Sequence, residues 1–532
     1  MVLFKKTGLI CILFLLFFGC RKSTDANWDV DLAIPVVNSV LNIKNFVSDS
    51  FFQADNTGLL YVKLNREVAA IKLDSIISLP DTTIPKKFIN ESPFPLNLQI
   101  GEAISAFPAA ELKFNISNGV ALKRVDVYKG TMTVKFVNYI SQPVDLIYRI
   151  SSAVKNGVPL TISETVPVDS AKPLIKTYDL SGYSLTMRGI SGLVYNTIVQ
   201  TYTFALSTTA TSSLQLKGGE GARVEITYSG IVPGYVEGYF GQQTIDIAQD
   251  TTHIGLSDNF KASNFLLSDA TMDFSILNEF GAEFSSTLAN NKSINTSNGN
   301  VITLNTSQLA NINVNRATKA GATIFPSVKL ISFTSSNSNI VPFISNLPDK
   351  LTYKGSIHVN PLGNISGYND FAFYNTGIRI LANISIPLKF RADYFELRTD
   401  AETDFSNIEQ LDKVNYGNLQ IVAKNGFPFA VKLQGYMYDV DGLLLDSLFV
   451  PGSDIIDGGV LNMNNEVITP VEKKIAIPIN GSKIRNLRNC KNIKVVSRFI
   501  MPLNPPDIKI LEHYEVKVNV VANLNYNVGL GN

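Results

Sequence analysis

Three aspartates crowd the stretch YDVDGLLLD: Asp439, Asp441 and Asp446. Carboxylates this close are hard oxygen ligands, and calcium is the ion they would serve. A calcium loop of the EF-hand type also needs a bidentate glutamate further on, and none stands there. Asp441-Gly442 between two apolar runs specifies a hairpin turn instead, because glycine supplies the positive φ that such turns require. No metal site is therefore expected. The three histidines, His253, His358 and His513, lie singly, outside any HExxH or Cys/His spacing, and read as structural or surface residues. Ser191 in GISG lacks the GxSxG elbow of a hydrolase nucleophile, and no base is announced for it. Lys217 to Arg223, KGGEGAR, has the glycines of a phosphate loop but joins two alternating runs, so a hairpin turn is expected. Neither a catalytic residue nor a cofactor is assigned. Paired carboxylates for glycoside hydrolysis would leave no signature, since their separation is set in space.

The elements that must position any site are strands. TMTVKFVN, ARVEITY, NLQIVAKN and YEVKVNVVANL alternate apolar and polar residues, the period of a half-buried strand. Helical periodicity is scarce, the best stretches being Ser307 to Ala320 and Asn339 to Leu347. The fold class expected is all-β, with several β-sandwich-like domains in tandem. One pattern recurs: Met132, Val134 and Phe136 lead to Asn138; Met272, Phe274 and Ile276 to Asn278; Leu419, Ile421 and Ala423 to Asn425. A short turn and a second strand follow each asparagine, a residue whose side chain bonds nearby backbone and tolerates a bend. The asparagines are 140 and 147 positions apart, a spacing suited to one β domain each. The expected segments are an N-terminal module over 28–109 and sandwich units over 110–258, 259–400 and 401–532, with boundaries at breaks in the strand pattern.

Composition narrows the partners. Forty-six basic against 45 acidic residues, with no basic block, remove the electrostatic term that drives nucleic-acid affinity. Charged residues make up 17% of the chain against about 25% in ordinary soluble domains. Either the exposed faces are neutral and polar, or apolar surface is reserved for a partner or a lipid. Trp28, the single tryptophan, stands in DANWDVD beside Asp25, Asp29 and Asp31. Its ring could stack on a sugar, but packing that docks the preceding segment onto the first module is the expected role.

At the start, Lys5 and Lys6 precede an apolar run, Leu9 to Phe18, that is shorter than the roughly 20 residues a bilayer-spanning helix needs. A basic flank, a short apolar stretch and a small residue before a cut describe a signal peptide, here residues 1–19. Gly19-Cys20 resembles the end of a bacterial lipobox, although Phe17 and Phe18 stand where that motif has Leu and a small residue. The resemblance implies cleavage before Cys20, acylation of Cys20, and a polar leash over 20–27. Several acyl chains, at about 0.8 kcal/mol per buried CH₂, make such a tether durable. Of the three cysteines, Cys11 would leave with the signal and Cys20 would carry lipid, so Cys490 is left without an internal partner and is expected to pack as a small apolar residue.

The alternating strand into an asparagine turn resembles late-embryogenesis-abundant-type and immunoglobulin-like sandwich modules. WDVDLAIPVVNSVLNIKNFV, DLSGYSLTMRG, NGFPFAVKLQGYMYDVDGLLLDSLF and KILEHYEVKVNVVANLNYNVGLG resemble large β-rich lipoproteins of Bacteroidota envelopes. That resemblance implies an outer-membrane address; RKSTD lacks the acidic cluster some of these proteins use for surface export, so either membrane face is open. The triplets at Ser75, Thr82, Ser170, Thr251 and Ser447 resemble Bacteroidota O-glycosylation acceptors, which makes these five candidate glycosylation sites. The expected function is non-enzymatic binding or scaffolding of an envelope protein or glycan, through loops at sandwich ends. Two alternatives stand: a lipid-carrying β groove, and a cryptic glycan hydrolase with two carboxylates in a cleft.

Overall fold

The computed structural model describes residues 27–43, 52–106, 109–169, 171–253, 260–305, 307–402, 414–449, 455–501 and 507–529. Cys11, Cys20, Asp25 and Ser170 lie outside them. The main sheets are antiparallel, as the alternating pattern required, and the fold is all-β and multi-domain. The expected helix at Asn339 to Leu347 forms over Ile340–Ser345. Ser307 to Ala320 does not. Its Ile312 and Val314 alternate, sink to 1% and 4% exposure, and pair as a short strand with Phe284–Ser286. A helix that went unread, Gly481–Asn489, begins where the Asn480 side chain caps Lys483 N–H at 3.0 Å and buries Ile484 and Leu487.

Contacts group the chain into two units, each drawn from separated stretches. One comprises Met1–Tyr61, Gly255–Ser268 and Leu388–Asn532; the other comprises Val62–Ile254 and Asp269–Pro387. Sheet partners therefore come from different expected segments: Asn27–Asn42 pairs with Glu515–Gly529, and Thr82–Ile89 with Gly221–Tyr239. A sizeable minority of strands pair with partners remote in sequence, and linear punctuation does not register them.

In the first unit, a four-stranded sheet orders Asn27–Asn42, Glu515–Gly529, Val414–Asn425 and Val471–Ile479. A second sheet is built on Tyr394–Glu402, Asn492–Ile500 and Ala430–Tyr438. Leu419, Ile421, Val516 and Val518 are buried on one sheet, Val431, Leu433, Ile493 and Val495 on the other. Each such side chain contributes about 1.5–3 kcal/mol by leaving water. Phe427 joins them, its ring 4.6 Å from Phe499 and 5.7 Å from Tyr514. Cys490 is buried and packs as expected. Trp28 does not pack as expected: it lies at the start of the edge strand, where Asp29, Val30 and Asp31 are exposed as well, and 53% of its surface is exposed.

The second unit holds an eleven-stranded sheet organised around two long strands, Ala121–Asn138 and Gly221–Tyr239, and several smaller sheets. Inside the large sheet, Tyr148 donates to Gln200 Oε1 at 2.7 Å and lies 2.8 Å from the Tyr228 hydroxyl, with Tyr202 stacked on it at 4.8 Å. Burial pushes the hydroxyls of Tyr148, Tyr202 and Tyr228 above the ordinary tyrosine range. A raised folded-state value means that the fold prefers the neutral phenol. The associated stability is complete below the unfolded value of about 10 and disappears as pH rises through the folded values. Urea titrations should show unfolding free energy falling steeply above about pH 10, and less steeply in Tyr148→Phe. A flat profile there would remove the tyrosine cluster as the cause.

The sequence repeat is one device built three times. Asn138, Asn278 and Asn425 are essentially buried, each ending a strand. Their Oδ1 atoms accept from the backbone N–H two residues on, of Ile140, Phe280 and Phe427, at 2.9–3.0 Å. Their amides donate to the carbonyl four residues on, of Gln142, Ala282 and Phe429, at 2.8–2.9 Å. Each amide also reaches a distant carbonyl: Pro167 at 3.3 Å, Asn315 at 2.8 Å and Asp457 at 3.0 Å. Asparagine alone among small side chains offers an acceptor and two donors in this plane. A fourth copy, at Asn90, accepts from Ser92 N–H and donates to the carbonyls of Phe94 and Leu216.

Candidate functional site

The second unit carries a cleft of about 660 Å³. Four pieces of chain line it: Glu67 to Asp74, the bulged strand at Val232 and Pro233, Glu279, and the turn Tyr374 to Arg379. The bulge opens it. Pairing between the two long strands slips between Ser229 and Val232 and again on either side of Pro233, as bulges beside sites commonly do. Strand alternation then decides what faces the space. Ile71, Leu73 and Ile378 line it but are only 7%, 2% and 2% exposed, while Lys72, Asp74 and Arg379 are exposed. Gly377 fits the floor because a Cβ there would meet the Ile71 carbonyl at 2.4 Å.

Tyr374 stands on the wall. Its N–H donates to Gly234 O at 2.9 Å, and Thr376 closes the turn through Phe373. Its ring stacks on Tyr128 with centroids 4.5 Å apart, and 44% and 58% of the two residues remain exposed. Glu279 is held: one oxygen accepts from Gly377 N–H at 3.0 Å and the other lies 3.5 Å from Arg379. Behind Tyr374, the strand Asp370–Phe373 begins at a buried carboxylate. Asp370 Oδ2 accepts from Phe240 N–H at 3.0 Å and Asn360 Nδ2 at 2.8 Å, and Oδ1 lies 3.5 Å from Arg316. Arg316 also donates to the carbonyls of Gly281 and Asn369. Phe371 and Tyr235 pack with Ala317, and Lys319 caps both rings at 5.1 and 4.5 Å.

A second feature is a pair of loops joined by an aromatic contact: Tyr195 stacks on Tyr368 at 4.2 Å, with Arg188 over the Tyr195 ring. Ile190, Leu193 and Val194 lie on one loop, Leu362 and Ile365 on the other. These five side chains are 40–76% exposed.

The structure scatters most residues that the sequence singled out. Asp439 closes the expected hairpin, its Oδ1 accepting from Asp441 and Leu443 N–H at 3.0 and 2.8 Å with Gly442 at φ +77°. Among the described residues, no group of three His, Cys, Asp or Glu side chains is placed to hold a metal. Lys217 to Glu220 is a turn but not a hairpin: Leu214–Leu216 pairs with Leu96–Leu98, whereas Gly221–Tyr239 pairs elsewhere. His358 contacts Thr244 Oγ1 at 2.8 Å; His513 is exposed against Tyr514; His253 ends a strand. Ser191 is exposed in the loop that carries Tyr195 and accepts from Leu193 N–H. Of the candidate glycosylation sites, Ser75 and Thr251 are exposed, Thr82 and Ser447 half-buried in strands. Ser75 adjoins the cleft residue Asp74. Sequence reasoning missed the cleft itself. Its lining comes from four separated stretches, and no local signal joins them.

Among the described residues, no helix is long and apolar enough to cross a membrane. No family model and no curated protein matches the chain. Among solved structures, a protein of Parabacteroides distasonis, provisionally described as secreted, aligns over 93% of this chain and 99% of its own at 8% identity and a TM-score of 0.28. Infectious bursal disease virus, Gx strain, aligns over 92% and 85% at 8% identity and a TM-score of 0.11. At such scores neither neighbour bears on function.

Proposed function

We propose that the chain is a non-enzymatic binding protein, tethered to a bacterial outer membrane by lipid on Cys20, that holds a polar ligand in the cleft of its second unit. The cleft carries this reading: a half-exposed, backed aromatic ring faces a wall of exposed polar side chains, while Glu279 is committed to Gly377 and Arg379. A lipid-carrying groove would need a continuous, accessible apolar lining, and Ile71, Leu73 and Ile378 in this cleft are only 7%, 2% and 2% exposed. The exposed loops around Tyr195 and Tyr368 offer a further, apolar surface for an envelope protein partner. Glu67 and Asp74 also line the cleft, which keeps the hydrolase alternative concrete enough to test.

Cells grown with radiolabelled palmitate test the tether. The wild-type chain should take up label and sediment with membranes, and Cys20→Ser should do neither. Unlabelled protein recovered free outside the cells would overturn the placement. Turnover of envelope glycans or peptides by purified protein, abolished by Glu67→Gln or Asp74→Asn, would overturn the binding role.

A further inference from the structure

We infer that the cleft takes an uncharged oligosaccharide whose pyranose ring stacks on Tyr374, an inference that rests on the binding role proposed above. The volume of about 660 Å³ is that of a small-molecule site and has room for a short saccharide. Tyr374 is built as a platform. Tyr128 supports one side of its ring, and backbone bonds to Gly234 and around Thr376 fix the turn that carries it, so stacking costs little ordering. Sugar hydroxyls both donate and accept, and the lining supplies both: carboxylates at Glu67 and Asp74, donors at Lys72 and Arg379, and both kinds at Asn375 and Thr376.

The same lining disfavours other ligand classes. Lys72 and Arg379 are its only cations, and Arg379 already faces Glu279 at 3.5 Å, so a phosphate or polyanion would meet three carboxylates for two positive charges. An extended peptide adding along the floor would need free backbone groups, but Gly377 N–H is bound by Glu279 at 3.0 Å.

The test is calorimetric titration of the full-length Cys20→Ser protein with the tetrasaccharides of glucose, mannose, xylose and N-acetylglucosamine, beside a panel of short uncharged peptides. At least one saccharide should bind. Tyr374→Ala should weaken it by about tenfold or more, and Tyr374→Phe, which keeps the ring, should bind like wild type. Thermal unfolding of each variant, unchanged from wild type, separates lost stacking from lost folding. No saccharide binding, or binding indifferent to Tyr374→Ala, overturns the inference. Peptide binding lost in Arg379→Ala, with no saccharide bound, would overturn the ligand class while leaving the binding role intact. A saccharide that binds and is cleaved would overturn the non-enzymatic role while supporting the ligand class.

Discussion

Asp370→Ala is expected to lower the unfolding free energy of the second unit by about 3–5 kcal/mol, the usual cost of removing one partner from a buried, hydrogen-bonded ion pair. The carboxylate is wholly buried; its loss removes the acceptor of Phe240 N–H, one of the two acceptors of the Asn360 amide, and the countercharge of Arg316, which keeps its bonds to the Gly281 and Asn369 carbonyls. Most of the loss comes from the groups left behind and not from the attraction between the charges. Arg316→Met made in the Asp370→Ala background should therefore recover part of the stability, and a double-mutant cycle in urea would measure it. A second consequence is functional. Asp370 begins the strand that leads into the Tyr374 turn, so saccharide affinity should fall in Asp370→Ala although the residue lies outside the cleft lining. A loss under about 1 kcal/mol would mean that this pair does not anchor the strand.

Asn278→Asp should be nearly as damaging, and its damage should depend on pH. The exchange keeps shape and volume but replaces an amide that donates to Ala282 O at 2.9 Å and Asn315 O at 2.8 Å with an oxygen facing two carbonyls. At neutral pH the cost should be about 3–5 kcal/mol, against about 2–3 kcal/mol for Asn278→Ala, which only leaves partners unsatisfied. Burial and the facing carbonyls raise the folded-state value of the new carboxyl above its unfolded value of about 3.9. The penalty relative to wild type is therefore smallest below about pH 4 and grows to its full size as pH rises through the raised value. Asn425→Asp should behave alike, because the geometry is the same; Asn90→Asp should cost less, since that site is 9% exposed. Wild-type stability of Asn278→Asp at neutral pH would show that the clamp is not structural.

The three main clamps were legible because their signal is local: three alternating apolar residues, an asparagine and a turn fall within ten positions. Asn90 escaped notice because the strand before it, TTIPKKFI, contains Pro85, Lys86 and Lys87 and does not alternate cleanly. The Ser307 to Ala320 stretch misled for a related reason. Short apolar runs without turn punctuation suit a helix or a strand, and only the pairing of Ile312 and Val314 with Phe284–Ser286 settled which formed. Likewise Leu444–Ser447 pairs back onto Ala430–Tyr438 as Asp441-Gly442 demanded, while Gly218 and Gly219 close a turn whose flanking strands have other partners.

By itself, the sequence determined the class of the fold, the asparagine turns and the hairpin at Gly442, because a two-residue period and turn chemistry act between near neighbours. It also supplied the lipobox-like Gly19-Cys20 on which the proposed acylation rests. Tertiary structure decided which strands became partners, that the chain divides into two discontinuous units, and that Glu67, Val232, Glu279 and Tyr374 share one cleft. Those outcomes depend on contacts between residues as distant in sequence as Asn27 and Gly529. Such contacts are selected by whole faces packing together, which no single stretch of chain encodes.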